Sequence, residues 1–206
     1  MITDDLLRKH SIVSDQVDKQ ELQVVLANLE RLLTSGATGA VVEFGCYVGT
    51  TSLFVMRLLS QFNSSSDYHV FDSFAGLPDK TTYDISVAGE QFKTGELLAT
   101  KNQFIANFKK ANLKLPIIHK GWFSEVSPSA VPENIIFAFL DGDYYGSIKD
   151  SLNLIESKLS KQAVIVVDDY ANEALPGATK AVDEWLKLNP QYSLRVQASL
   201  AIIYQR

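Results

Sequence analysis

The chain has a single cysteine, Cys46, among 206 residues. An internal disulfide is therefore excluded, and a Cys/His zinc site would need more ligands than one Cys and three scattered His supply. A reducing compartment is expected. An excess of basic charge is also lacking. Lys and Arg total 19 against 24 Asp and Glu, a net charge of −5, so no basic field is available to follow a phosphate backbone. Nucleic acid is not an expected partner. No apolar stretch reaches the roughly 18 residues of a membrane span, and Met1 to His10 carries acids where a secretory leader would have a basic lead and an apolar run. A soluble cytoplasmic protein with no membrane partner is expected. Eleven Gly and six Pro are too few for a collagen-like or low-complexity chain. What is present is ordinary globular composition, 46% hydrophobic and 21% charged, in a length that suits one domain.

Residues 17–34 place Leu22, Val25, Leu26, Leu29, Leu32 and Leu33 at three- and four-residue steps, which predicts an amphipathic helix. The period then changes. Ala40 to Gly45 is a short apolar run ending in glycine, followed by Thr50-Thr51-Ser52 and a helical stretch over 53–62. Further runs at 68–72, 115–119, 135–140 and 163–167 read as strands, separated by helical segments such as 102–111 and 147–158. Runs without alternation suit parallel strands covered on both faces, so the pattern predicts an open α/β sheet with right-handed crossovers. The tail departs from it: 192–196 and 200–204 are too close for a parallel crossover and should pair antiparallel. Residues 78–101 show no period and read as a loop or lid.

In such sheets ligands bind beyond the carboxyl ends of the strands, and the residues there are unusually acidic. The first strand runs out through Glu43-Phe44-Gly45-Cys46-Tyr47-Val48-Gly49-Thr50-Thr51, the second ends in Asp72, the fourth in Asp141-Gly142-Asp143 and the fifth in Asp168-Asp169. Gly45 and Gly49 permit a tight turn and close approach of a ligand, and the following helix offers free N–H groups near Thr51. The step differs from the G-x-G-x-x-G of dinucleotide loops and follows an acid, which suits a zwitterion better than a phosphate. The helix start would take its carboxylate, and Glu43, directly or through water, its amine. Asp72 can accept two hydrogen bonds from a ribose diol. Amino acid plus ribose describes S-adenosylmethionine. Asp141, Asp143, Asp168 and Asp169 would repel one another in one crevice unless a cation bound them, and oxygen-only ligands favour Mg²⁺, Mn²⁺ or Ca²⁺.

These motifs, with Val70-Phe71-Asp72-Ser73-Phe74-Ala75-Gly76-Leu77-Pro78, Gly121-Trp122-Phe123, Leu140-Asp141-Gly142-Asp143-Tyr144-Tyr145 and Val167-Asp168-Asp169-Tyr170, resemble the macrocin O-methyltransferase (TylF-type) family from about residue 36 onward. The resemblance implies a Rossmann-like class I methyltransferase fold, a mostly parallel seven-stranded sheet with helices on both faces and an antiparallel C-terminal strand. Residues 1–35 would be an N-terminal helical extension and 36–206 the methyltransferase domain. It further implies a metal-dependent S-adenosylmethionine O-methyltransferase acting on a hydroxyl of a small molecule, a sugar or sugar-bearing natural product. Carried over, it makes Glu43, Gly45, Tyr47, Gly49, Thr50 and Thr51 the methionine-end loop. Asp72 becomes the ribose acid, and Ser73, Phe74, Gly121 and Trp122 neighbours of the adenosine. Asp141, which also borders the cofactor site, Asp168 and Asp169 would hold a divalent metal, usually Mg²⁺. Asp143 stands as an alternative to Asp141 both as metal ligand and as base, and an Asp base is favoured because the lysine that catechol-type relatives carry three residues after the first metal Asp is here Tyr144. In such enzymes the N-terminal segment helps roof the acceptor site and build a homo-oligomer.

Tyr83, Phe92 and Lys93 in the lid segment are candidate substrate contacts. His119 could be a base, although a strand-end His bonded to its surroundings is commoner; Cys46 reads as small-residue packing, and Trp185 as core. Competing readings are a Mg²⁺-binding phosphoacceptor domain, which carries its Asp pair after the first strand, a nucleotide-dependent oxidoreductase, which the glycine spacing disfavours, and a noncatalytic nucleotide-binding module, which would not retain four strand-end acids.

Overall fold

The computed structural model describes residues 1–206, ordered as α1 (Ile2–Lys9), α2 (Lys19–Thr34), β1 (Ala40–Phe44), α3 (Thr50–Gln61), β2 (Tyr68–Asp72), α4 (Lys101–Lys110), β3 (Ile117–Lys120), β4 (Ile135–Leu140), α5 (Tyr145–Ile155), β5 (Leu159–Val167), α6 (Pro176–Leu188), β6 (Tyr192–Gln197) and β7 (Leu200–Gln205). The unalternating apolar runs become the middle of one seven-stranded sheet of order β3-β2-β1-β4-β5-β7-β6. Every residue of β1 and β4 is buried, as strands covered on both faces require. β1 to β5 pair in parallel, and only β7 runs antiparallel, to both β5 and β6. No helix is long and apolar enough to cross a membrane.

Two apolar cores cover the sheet. On one face α1 to α4 contribute Leu6, Leu26, Phe54 and Phe104 to a core of 26 buried residues; on the other, α5 and α6 contribute Ile148, Leu152, Val182 and Trp185 to one of 20. Helix starts follow local chemistry. Asp18 caps α2 by accepting from the N–H groups of Gln20 and Glu21 at 2.7 and 3.1 Å, a Thr100/Gln103 capping box opens α4, and Pro176 occupies the first turn of α6.

Residues 1–35 hold two helices where the periodicity shows one. Two turns are too short to display a period, but α1 has acids in its first turn and bases in its last, buries Leu6 and Leu7, and is capped from α2, whose Glu30 accepts from the N–H groups of Ile2 and Thr3. The third strand begins at Ile117, after Pro116, which has no N–H to give a ladder. α3 starts at Thr50 rather than 53, because Gly49 turns the chain in a left-handed conformation (φ +89°) immediately before it.

The chain beyond β1 leaves no room for a side chain. Gly45 has φ +88°, and a Cβ there would lie 1.8 Å from the carbonyl oxygen of Asp141. Gly36 has φ +79° with open space around it. Gly45→Ala should therefore cost at least about 3 kcal/mol in urea unfolding, whereas Gly36→Ala should cost only the backbone strain, about 1–2 kcal/mol. Equal costs would show that the contact with Asp141 relaxes freely.

Candidate active site

Register decides where the acids meet. Phe44 is paired with Phe71 and Leu140, and Leu140 with Val167, so Asp72, Gly45, Asp141 and Asp168 form the next row across four parallel strands. Backbone bonds extend the ladder into that row: Gly45 N–H donates to Phe71 O at 2.9 Å, Asp141 N–H to Phe44 O and Asp168 N–H to Leu140 O, both at 2.8 Å. A cavity opens above it, with Glu43, Tyr47, Thr50, Thr51 and Asp72 on one side and Asp141, Asp143, Asp168 and Asp169 on the other. No Lys, Arg or His lines it.

Glu43 is almost wholly buried. Its Oε2 accepts from Ser52 Oγ at 2.6 Å and from the Tyr68 hydroxyl, while Oε1 has no partner, and burial pushes its pKa up to about 7. Thr50 Oγ1, in the same wall, is likewise buried and unpartnered. Asp72 binds the glycine loop: Oδ2 accepts from the N–H groups of Cys46 and Tyr47 at 2.8 and 3.2 Å, and Oδ1 from Phe74 N–H at 2.6 Å. This bracing role is not visible in the sequence, because it depends on β1 and β2 lying side by side.

Ligand oxygens of Asp141, Asp168 and Asp169 lie within 4.8 Å of one another, and Asp143 falls outside that group. Burial, then the charge of Asp168, pushes the Asp141 carboxyl well up; burial, then Asp169, does the same to Asp168. Asp169 is raised by burial despite a hydrogen bond from Asn172, and Asp143 reaches about 8 through burial and the charge of Asp169. Asp143 and Asp169 both sit at φ +57°, a left-handed conformation that Asp tolerates better than most residues. Oxygen-only donors with no cationic neighbour are the donor set of a hard divalent cation, so the residues present fit Mg²⁺.

Other expected site residues fall in different places. Ser73 and Trp122 line the cavity. Phe74 does not: its ring packs in the core against Phe104, 6.1 Å away, and only its N–H reaches toward the site. Gly121 lies beside it with its N–H on Asp72 O, and Gly49 backs onto Phe104, where a Cβ would come within 2.8 Å of the ring. Phe92 lines the cavity, Lys93 faces Glu90, and Tyr83 lies away from it, its ring tilted against that of Tyr145 at 4.6 Å. Tyr144 is buried with its hydroxyl unpartnered, and burial pushes that hydroxyl's pKa well up, so it does not replace a basic lysine. His119 bonds His69 at 3.0 Å and stacks on Phe71, Cys46 is a buried thiol whose pKa burial raises, and Trp185 lies in the core. Residues 78–101 are irregular apart from a 3-10 turn at Thr82–Asp84 and Lys101, which opens α4, and are pinned at Asp84, whose Oδ1 accepts from Tyr145 N–H at 2.7 Å. The periodicity did not single out Gln16 and Glu21, which α2 and the turn before it bring to the cavity wall, or Gln91 from the loop; their polar types carry no motif.

Two curated relatives are similar over most of this chain. The 8-demethyl-8-(2,3-dimethoxy-alpha-L-rhamnosyl)-tetracenomycin-C 4'-O-methyltransferase of Streptomyces olivaceus is 29% identical over 170 residues, 80% of this chain. Demethyldecarbamoylnovobiocin O-methyltransferase of Streptomyces niveus is 27% identical over 175 residues, 81% of this chain. The chain spans 65% of the length of each. Among solved structures, the O-methyltransferase NovP superposes with a TM-score of 0.77 at 24% identity, covering 92% of this chain and 81% of that one, which identifies the sheet as a class I methyltransferase fold. The family model for macrocin O-methyltransferase (TylF) matches residues 10–193, taking in α2 as well as the motifs after residue 36. The chain belongs to the macrocin O-methyltransferase (TylF) family.

Proposed function

We propose that this chain is an S-adenosylmethionine-dependent O-methyltransferase that works with a divalent cation, Mg²⁺ by its donor set, on a hydroxyl of a small sugar-bearing molecule. One observation carries the reading: a cavity without a basic residue joins the glycine loop and Asp72 to three converging carboxylates. Such a wall calls for positive ligands, and a sulfonium, an ammonium and a divalent cation are what the reaction brings. The names of the curated relatives, both enzymes that methylate elaborate natural products, support the acceptor class.

In this reading the N–H groups opening α3, beside Thr50 and Thr51, hold the methionine carboxylate. The free Oε1 of Glu43 faces the ammonium, and the one acceptor site left on Asp72, at Oδ1, takes a ribose hydroxyl. Gly45, Tyr47 and Gly49 shape the loop, with Ser73 and Trp122, and the backbone at Phe74 and Gly121, bordering the adenosine. Asp141, Asp168 and Asp169 would hold the cation, which would supply Lewis acidity to the acceptor hydroxyl. Asp143, outside that group, takes the hydroxyl proton in its ionised form, which its raised pKa makes dominant only above about pH 8, as the oxygen attacks the methyl carbon and the C–S bond breaks, leaving a neutral thioether. No observation favours a phosphoacceptor domain, an oxidoreductase or a noncatalytic module.

Titration calorimetry tests the assignment. S-adenosylmethionine should bind wild-type protein, and Asp168→Ala should lose the Mg²⁺ binding heat while keeping cofactor affinity within about threefold. Absence of cofactor binding by folded protein sinks the reading; absence of a Mg²⁺ event sinks its metal half. Asp143→Asn should lower kcat by roughly 10²–10⁴-fold with little change in cofactor affinity; unchanged turnover would move the base elsewhere.

Proton linkage at Glu43 gives a further expectation. With its pKa near 7 in the free protein, the carboxyl is protonated below that pH and must release its proton to pair with an ammonium. Cofactor affinity should therefore fall by up to about tenfold per pH unit below 7 and level off above it. Glu43→Gln should flatten this slope; a slope unchanged by the substitution would assign the linkage to another group.

A further inference from the structure

Two connections close over the acids: residues 78–101 after β2, and residues 168–175 after β5. They meet at Asn172, both of whose amide hydrogens are used. Nδ2 donates to Asp169 Oδ1 at 2.8 Å and, less closely, to Gln91 Oε1 at 3.4 Å, while Oδ1 accepts from Ala174 N–H at 3.0 Å. Asp169 is one of the three converging carboxylates and Gln91 lines the cavity.

The loop end of this bridge is a defined piece of chain. Asp84 pins it on one side, through Tyr145 N–H, and the paired backbone bonds of Leu77 with Gly95 and Glu96 pin it on the other. Residues 85–94 lie between these pins. Besides Asn172 they are held by Ser86 Oγ on the carbonyl of Glu173, by the Lys80–Glu90 ion pair at 3.6 Å and by Thr94 Oγ1 on Asp79 at 2.8 Å. The turn carrying Asn172 has backbone bonds of its own beside those of the side chain: Leu175 N–H donates to Asn172 O at 3.0 Å and Asn172 N–H to Asp169 O at 3.2 Å.

We propose that Asn172 is a positioning residue that joins the cation-binding acid Asp169 to the loop over the site, so that cation binding and closure of residues 85–94 are thermodynamically linked. The two hydrogens of a planar amide leave its nitrogen at a fixed angle, so the direction in which Asp169 is held also sets the direction offered to Gln91. One Asp169 oxygen is occupied by the amide, which turns the carboxylate and leaves the other oxygen free. A cation that fixes Asp169 fixes Asn172, and the linkage is reciprocal: an ordered loop favours the cation by the factor with which the cation favours the loop. The metal half of this inference rests on the proposed function; the loop half does not.

The test combines Mg²⁺ calorimetry with amide hydrogen exchange of residues 85–94 in the full chain, on wild type, Asn172→Ala, Asn172→Ser and Gln91→Ala. Asn172→Ala should weaken Mg²⁺ binding about 10–100-fold, the range for partners that orient metal ligands. Asn172→Ser, which keeps a donor for Asp169 but is too short for Gln91, should recover most of that affinity. Mg²⁺ should slow exchange of 85–94 in wild type, and this slowing should vanish in Asn172→Ala, Asn172→Ser and Gln91→Ala alike. Unchanged Mg²⁺ affinity in Asn172→Ala, or slowing that survives in Gln91→Ala, overturns the proposal. Should wild type bind no Mg²⁺, the metal reading fails by itself. The metal-free proteins then decide the loop half: faster exchange in both Asn172→Ala and Gln91→Ala supports it, and wild-type rates overturn it. If Asn172→Ala does not fold, Gln91→Ala carries the exchange test.

Discussion

The close contact between the backbone leaving β1 and the backbone leaving β4 is the constraint on which the site depends. Gly45 lies so near the carbonyl of Asp141 that a methyl group cannot enter, and the ladder bonds of Gly45, Asp141 and Asp168 run one residue past the strands. Those bonds hold the strand ends level. Because they are level, side chains that follow four different strands, far apart in sequence, emerge in one row. A register slip of one residue on β4 would send the Asp141 side chain to the other face of the sheet.

Charge concentration is the consequence. Glu43, Asp141, Asp143, Asp168 and Asp169 share a cavity wall with no basic side chain, and burial raises the pKa of every one of them. Buried and half-buried acids without counter-ions cost stability, and the fold offsets this with two large apolar cores and with hydrogen bonds to single carboxylate oxygens. Asp72 is the contrast: three backbone donors surround it, so it stabilises the loop before any ligand arrives.

Much of this was legible in the chain. Unalternating runs marked the parallel strands, the short step between β6 and β7 required an antiparallel hairpin, and acids directly after apolar runs marked the carboxyl edge of the sheet. The errors were local and have physical causes. α1 spans only two turns and shows no period, Pro116 removes a donor and delays β3, and the left-handed Gly49 starts α3 early. Side-chain destinations were harder to read. Phe74 sits inside a cofactor-like motif yet turns its ring into the core, while Gln16, Glu21 and Gln91, ordinary polar residues in sequence, reach the cavity.

By itself, the sequence determined the element types, the parallel sheet, the acid-rich strand ends and the glycine turn, since these depend on periodicity, backbone freedom and the chemistry of neighbouring residues. Only the tertiary structure decided which acids share a cation-sized space, that Asp143 stands apart from them, that Asp72 braces the loop, and that Asn172 touches both Asp169 and Gln91. Most of those relations join residues separated by tens of positions, as Asp72 with Cys46 and Asn172 with Gln91. They are set by strand register and by the packing of two loops, and neither leaves a local signal in the chain.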